Sequence, residues 1–561
     1  MPELKVLDDE YFSVRFQFDP QLVNQIRVLS SRRWNPKTKS WEIHIAHLAD
    51  VMKIFYLHPR DIPPDLLKLY QAQWIKCRLR IKVGHTYTQF SGTKLPIEKM
   101  DDVASFFVAG HEYSSKFIDG AWDGRKHLFD RRKLLLPTGL LHRVLPLFKE
   151  AGLEYEMQEK APKSRKSLKL RKPKEDLRPY QKQAVATLIK QKRGVLEMAT
   201  GAGKTLVAAH VIAELQRPAL FFVHTKDLLH QTRNVFHQCF GQEIGQIGDG
   251  VVDIHPITVA TIQTTIRAFG GRMGDSLDEE ENLEESRTDL TASKDKIIEH
   301  VRRIPVAFFD ECHHVPAETF YAIAMQTHAA EYRFGLSATP YRADRHDLLL
   351  EAALGEKIFQ ANASHLIEQG YLVPADITFV AVPAYHSAER HQNYQDIYAY
   401  YIVESDQRNR LIAERAKQLL SKKKSVLILV SQVAHGKCLK ELLPKAEFLE
   451  GSDSGEKRHN AWRALEAKKI PLVIATTLAD EGLDIPSLDA LILAGGGRSE
   501  TKALQRVGRA LRPSPGKTKA TIIDFFDQAP YLKVHSLRRY EIYKTEKDFR
   551  IQTEGVSFDG N

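Results

Sequence analysis

Nine short apolar runs constrain this chain more than any other feature. Five lie between residues 193 and 339: "RGVLEM", "ALFFVHT", "ITVATI", "PVAFFD" and "RFGLSAT". Four more follow between 425 and 526: "SVLILVS", "PLVIATT", "ALILAG" and "ATIIDFF". Each is continuous rather than alternating, and segments of helical period separate them. A strand apolar on both faces must be covered on both faces, so it belongs in a parallel sheet flanked by helices. Two such sets predict two α/β domains in tandem.

The first 158 residues read differently. Phe12, Val14, Phe16 and Phe18 recur at period two, which predicts one half-buried strand with these four side chains on a shared face. "CRLRIKV" (77–83) alternates again, and "GLLHRVLPLFKEAGLEYEM" reads as a helix followed by a strand. This front part predicts small α+β units. "KAPKSRKSLKLRKPKED" (160–176) is basic and lacks aromatics, as a tether does. The acidic run "DSLDEEENLEES" (275–286) reads as a solvated insertion.

Charge separates the two parts. Residues 1–180 hold 33 Lys and Arg against 22 Asp and Glu, whereas the whole chain of 561 residues carries a net +10. The remainder is therefore nearly neutral. A basic front on a neutral body predicts a polyanionic partner, with a surface kept basic for solubility as the bland alternative. The cysteines, Cys77, Cys239, Cys312 and Cys438, form no CxxC pair, so neither a zinc site nor a disulfide framework is expected. No apolar stretch is long enough to span a bilayer, and "MPELKVLDDEYF" lacks the basic head and apolar core of a secretory signal. A protein of the reducing cytoplasm is expected.

"EMATGAGKT" (197–205) links an apolar run to a helical one. Gly201 and Gly203 allow backbone N–H groups to face phosphates at a helix N-terminus, with Thr200 and Ala202 between them. Lys204 can reach β- and γ-phosphates, and the Thr205 hydroxyl suits Mg²⁺. The pattern G-x-x-x-x-G-K-[ST] wants glycine at position 198, where this chain has Met198. "VAFFDECHH" (306–314) ends a strand in two acids: Asp310 suits the Mg²⁺ water shell, and Glu311 suits the deprotonation of an attacking water.

Together, "ATGAGKT" and "DECH" resemble the core of superfamily 2 helicases and translocases of the DExH type. Further segments match in order. "LRPYQKQAV" (177–185) resembles the adenine-reading segment, with Gln181 as the amide. "FFVHTKDLLHQ" and "VATIQT" resemble strand-contacting motifs, and "LSATP" (336–340) resembles motif III. "VLILVSQVAHG" resembles motif IV, "IATTLADEGLDIP" (474–486) motif V and "QRVGRALRP" (505–513) motif VI. The resemblance implies two RecA-like domains, 177–360 and 361–561, with ATP and Mg²⁺ between them. It implies that Arg509 and Arg512, at i and i+3 on one helix face, act as arginine fingers. Gly482 and Asp484 would approach the ribose, and His313, Ser337, Thr339 and Gln505 would couple hydrolysis to domain movement. Thr225, Thr261 and Thr476 are placed either as phosphate contacts to one DNA strand or as helix caps.

The front part carries its own resemblances. Residues 113–157, above all "WDGRKHLFD" and "LPTGLL", resemble the N-terminal double-stranded-DNA-binding domain of the phage UvsW/XPB-like group, giving a unit over 61–158. "SSRRWNPKTKSWEI" resembles the HARP module of annealing helicases, giving a unit over 1–60 and leaving 159–176 as linker. Arg32, Arg33, Lys37, Arg125, Lys126, Arg131 and Arg132 are the candidate DNA contacts, while Trp41 and Trp122 read as core. The implied function is an ATP-dependent helicase or translocase on duplex, forked or branched DNA, with a single strand in the motor cleft. The alternatives left open are the motor subunit of a restriction or defence system and an ATPase-inactive DNA-binding scaffold. The intact set Lys204, Asp310, Glu311, Arg509 and Arg512 speaks against the scaffold.

Overall fold

The computed structural model describes residues 2–29, 31–74, 79–92, 95–108, 110–159, 167–270, 289–312, 317–338, 347–382, 393–476, 487–496, 507–508 and 510–555. The chain divides into two compact units. One is Met1–Ser164 with Asp344–Glu356, and the other is Arg165–Ala343 with Lys357–Asn561.

The first unit holds two small sheets. Strands β1 (Glu3–Val6), β2 (Tyr11–Arg15), β3 (Arg32–Asn35) and β4 (Ser40–His44) form an antiparallel sheet in the order β1-β2-β4-β3. Phe12 and Val14 are fully buried on its covered face, beneath the helices Pro20–Arg27 and Leu48–Ile54. The expected face of four is cut short. β2 stops at Arg15, Phe18 is 79% exposed, and Asp19 caps the next helix through its carboxylate. The local capping bond outweighs the alternating pattern there.

Strands β5 (Leu79–Val83), β6 (Tyr87–Ser91), β7 (Ser105–Phe107), β8 (Arg125–His127), β9 (Leu135–Pro137) and β10 (Tyr155–Glu159) follow. Four of them form the sheet β10-β5-β6-β9, and β7 pairs with β8 alone. The expected helix and strand at the end of this stretch are Leu141–Glu150 and β10, which pairs parallel to β5. Phe90, Leu136, Val144 and Phe148 fill the space between helix and sheet. Helix Asp347–Leu354 joins this unit from far along the chain.

In the second unit every one of the nine apolar runs forms a strand. The first sheet contains β11 (Arg193–Met198), β12 (Ala219–Val223), β13 (Gly245–Gly248), β14 (Val251–Asp253), β15 (Ile257–Thr261), β16 (Val306–Asp310), β17 (Tyr332–Ser337) and β18 (Lys357–Ala361). Its order is β14-β13-β15-β12-β16-β17-β11-β18, parallel except for β13 with β14. The second sheet contains β19 (Ala375–Ala381), β20 (Val426–Val430), β21 (Glu447–Leu449), β22 (Leu472–Thr476), β23 (Ala490–Leu493), β24 (Ala520–Phe526) and β25 (Phe549–Glu554). It is parallel throughout, in the order β21-β22-β20-β23-β24-β19-β25. Central strands such as β12, β16, β20 and β22 are buried at every position, as strands covered on both faces must be. Among the described residues no helix is long and apolar enough to cross a membrane.

Candidate functional site

The site lies at the carboxyl ends of three adjacent strands of the first large sheet, where ligands of parallel α/β sheets bind. β11 registers with β17 so that Glu197 faces Ser337, and β16 registers with β17 so that Asp310 faces Leu336. The loop after β11, the acids after β16 and fully buried Ser337 are thereby brought together.

The loop owes its shape to two glycines. Gly201 and Gly203 have φ of +83° and +84°, left-handed values costly for any residue with a Cβ. Gly203 is the N-cap of helix Lys204–Leu215, so the first N–H groups of that helix point out of the loop. Met198 ends β11, is fully buried and does not take a positive φ, so this position needs no glycine. Gln181 braces the loop from behind: its Nε2 donates to Ala202 O at 2.9 Å, while its Oε1 accepts from Arg178 N at 2.9 Å. A Cβ on Gly203 would lie 2.5 Å from that same Nε2. The expected adenine-reading amide is thus engaged at both ends within the protein. Beside it, Tyr180, whose hydroxyl donates to Ala202 O at 2.9 Å, packs tilted against Tyr371, and the Arg178 guanidinium lies over the Tyr371 ring. Neither tyrosine was singled out by the motif reading.

Lys204 Nζ lies 3.3 Å from Glu311 Oε1, and both side chains are mostly buried. Glu311 has φ of +43°, an uncommon conformation for a residue with a side chain and one that tends to sit at functional positions. Its N–H donates to Asp310 Oδ1 at 3.0 Å. Asp310 is buried, and burial, reinforced by the neighbouring Glu311 charge, pushes its carboxyl well above the usual range against the pull of Lys204. Two acids in a site of low polarity, facing one ammonium, suit added positive charge. Thr205 is half-buried on the first turn of the same helix.

The second lobe of this unit reaches the same loop. The Arg512 Nε is 3.0 Å from where a Cβ on Gly201 would stand, and burial lowers the Arg512 pKa. Gly508 packs so closely that its own Cβ would meet Thr200 Cβ at 2.8 Å. Arg458 Nη2 also reaches Asp227 Oδ1 at 3.2 Å between the lobes, a pair that no motif signalled. His313, Thr339, Gly482, Asp484, Gln505 and Arg509 lie outside the described residues, as do 160–166 of the linker and the acidic run 275–286.

The candidate DNA contacts resolve into two groups. Thr225 and Thr261 both cap helices, accepting from Leu228 N at 3.3 Å and Thr264 N at 3.4 Å. Thr476, at the end of β22, is buried, and its hydroxyl has no partner among the described residues. In the first unit, Arg33 and Asn35 both bind Glu42, Arg32 binds Leu29 O, and Arg125 Nη1 pairs with Asp102 at 2.9 Å. Arg131 Nη2 and His127 Nδ1 reach the same buried Asp101 Oδ2, at 2.5 and 2.7 Å. Lys37 and Arg132 are exposed, and no ion pair holds them among the described residues. Lys126 is half-buried in β8. Trp41 packs on the core with Trp34 tilted against it, and Trp122 donates to Arg125 O at 2.8 Å, both in structural roles.

Comparison with known proteins agrees with this geometry. Residues 174–342 match the family described as type III restriction enzyme, res subunit; residues 410–514 match the helicase conserved C-terminal domain; and residues 85–158 match DNA helicase UvsW, N-terminal. Putative helicase 22 of Sulfolobus islandicus filamentous virus is 30% identical over 41% of this chain, which spans only 44% of that relative. The DNA 3'-5' translocase XPB2 of Sulfurisphaera tokodaii is 26% identical over 61% of this chain and 80% of its own length. The ATP-dependent DNA helicase uvsW of Enterobacteria phage T4 is 24% identical over 82% of this chain and 97% of its own. A glycine-shaped loop, an acidic pair and a second lobe that touches the loop thus coincide with matches in the same order along the sequence, and the three family matches taken together are those of a superfamily 2 helicase of the UvsW/XPB type.

Proposed function

We propose that this helicase couples ATP hydrolysis to the remodelling of duplex, forked or branched DNA, by branch migration, fork regression, unwinding or annealing, in repair or recombination. The observation that carries the reading is the meeting of Lys204, Asp310, Glu311 and Ser337 at three adjacent strand ends, with Arg512 of the second lobe against Gly201. The nucleotide's phosphates lie over the 200–205 loop, held by its N–H groups and by Lys204. A triphosphate competes with Glu311 for the Lys204 ammonium and leaves the Glu311 carboxylate to accept a proton from the attacking water. Thr205 and Asp310 are the residues that would hold Mg²⁺, which supplies charge neutralisation on the phosphates. Arg509 and Arg512 stabilise charge developing on the γ-phosphate, a contribution of about 10³–10⁵ in rate for this class of contact. Gly482 and Asp484 take the ribose, and His313, Ser337, Thr339 and Gln505 pass the nucleotide state between lobes. Of the three threonines, Thr476 contacts one DNA strand, while Thr225 and Thr261 serve as helix caps.

The domain assignment that goes with this is a HARP-like module (1–60), a duplex-binding domain (61–158), a linker (159–176) and RecA-like domains over 177–360 and 361–561, in a protein of the bacterial or phage-infected cytoplasm. The restriction-enzyme family match supports a second reading, the motor of a restriction or defence system. ATP turnover measured without DNA and with forked, duplex and single-stranded oligonucleotides tests the proposal. Strongest stimulation by forks, with conversion of the fork to other strand pairings, is expected. Turnover unaffected by any DNA overturns it. Stimulation by long duplex alone, without strand rearrangement, favours the restriction motor.

A further inference from the structure

Between Ser337, which ends β17, and Lys357, which begins β18, the chain leaves the eight-stranded sheet. Both strands flank β11, the strand that runs into the phosphate loop: Glu197 registers with Ser337 on one side and Gln360 on the other. Within this excursion, helix Asp347–Leu354 belongs to the N-terminal unit. The element bracketed by the two neighbours of the nucleotide strand is therefore part of a different compact body.

Its attachment is specific. Glu351 is 6% exposed, and Arg143 grips both its oxygens: Nε donates to Oε1 at 2.8 Å and Nη2 donates to Oε2. His142 Nε2 faces Oε1 at 2.5 Å, and its Nδ1 lies 2.9 Å from Gly139 O. Both ring nitrogens face acceptors, and only the imidazolium donates from both. Burial disfavours that cation, but the Glu351 hydrogen bond and charge outweigh it, so the His142 pKa is raised. The third contact is backbone to backbone. A Cβ on Gly139 would lie 2.1 Å from Glu351 O and 2.6 Å from Ala352 O. Gly139 has no positive φ, so glycine is needed here for room and not for conformation. A buried, bidentate carboxylate adds little net stability over an apolar contact of the same size, but it fixes one geometry.

We propose that helix Asp347–Leu354 is a coupling element, through which DNA held by the N-terminal unit adjusts β17 and β18 beside the phosphate loop and so controls DNA stimulation of ATP turnover. Arg143, Glu351 and Gly139 are positioning residues for that control. The inference rests on the reading of the chain as a DNA-dependent ATPase.

The test uses the full chain and a forked oligonucleotide. Gly139→Ala inserts a methyl against the helix backbone, and Arg143→Ala frees Glu351 without opening a cavity, because Arg143 is 44% exposed. Both should keep basal turnover and fork affinity while losing about fivefold or more of the DNA stimulation, the usual lower range of a coupling between sites. The reversed pair, Arg143→Glu with Glu351→Arg, should regain stimulation that either single change loses. Unchanged stimulation in both Gly139→Ala and Arg143→Ala overturns the coupling alone. A parallel fall in basal and stimulated turnover assigns the contact a purely structural role and overturns it too. A wild-type chain that forks do not stimulate overturns both the coupling and the reading beneath it.

Discussion

The two units use their basic side chains for different ends. Lys204 and Arg512 converge on one loop, the loop proposed to hold the nucleotide's phosphates. Arg33, Arg125 and Arg131 of the N-terminal unit are instead each held by a carboxylate of the same unit, Glu42, Asp102 and Asp101. A guanidinium shared with an internal acid is largely neutralised before any DNA arrives. The excess charge of the first 180 residues is therefore not a map of its DNA contacts. The exposed Lys37 and Arg132 are better placed to release counterions than the arginines that shape the fold.

The largest effect expected on this contrast is in the nucleotide loop. Lys204→Ala should lower ATP turnover by about 10²–10³ or more, as removal of a principal charge-stabilising donor does, with thermal melting and fork affinity unchanged. Retained turnover would remove the loop's claim to the chemistry. Glu311→Gln keeps shape and removes the proposed base, so turnover should fall by about 10²–10⁴ while nucleotide binding persists. Binding of a fluorescent nucleotide next to steady-state turnover separates the two steps.

In the N-terminal unit, stability and DNA binding should come apart. Asp101 is 1% exposed and serves Arg131 and His127 together. Asp101→Ala should cost about 1–3 kcal/mol in a thermal or urea melt, the cost of leaving a donor without its partner, reduced because Arg131 is half exposed. Lys37→Ala and Arg132→Ala should leave melting unchanged and each flatten the log–log salt dependence of duplex binding by about 0.9. If Arg131→Ala changes the salt slope as much as Arg132→Ala does, the division between fold-holding and DNA-facing arginines is wrong. These point changes are cleaner than deletion of residues 1–158, which would strip away the unit that owns helix Asp347–Leu354.

The same contrast explains what was legible in the sequence. The nine buried strands were readable because continuous apolar runs admit few alternatives. β13, β14, β18, β19, β21 and β25 were not: β13, β14 and β21 are short, β18 and β25 are polar edge strands, and β19 alternates buried with half-buried positions and so lacks a continuous apolar run. The shape of the 200–205 loop was readable because two glycines at fixed spacing before a helix set its backbone geometry, and the Met198 departure leaves that shape intact because the residue ends a strand. Gln181 was found but its engagement with Ala202 O was not, since a side-chain partner 21 residues away leaves no local trace. Glu351 carried no signal at all: an acid 208 residues from Arg143 becomes its partner only through the fold.

The smallest effect predicted belongs to the contact of the same Glu351 with His142 and depends on pH. The His142 pKa is raised above its ordinary 6.5, burial being outweighed by the Glu351 hydrogen bond and charge, with the Glu356 charge adding to the rise. A group whose pKa is higher folded than unfolded stabilises the fold fully below the unfolded value, and this contribution disappears as pH rises through the folded value. Glu351 is shifted the other way: burial raises it, but His142 and Arg143 prevail and hold it low, so its contribution is lost only on acidification and is constant above neutrality. Between pH 6 and pH 9 the changing term at this contact is therefore His142. The wild type should melt higher at pH 6 relative to pH 9 than His142→Gln does, by an increment under about 1 kcal/mol, since the ring is 30% exposed and solvent screens the pair. Glu351→Gln should erase the same increment, because the imidazolium then loses the charge that holds it. An increment that survives Glu351→Gln would place the responsible proton elsewhere and dissolve the clamp as a unit.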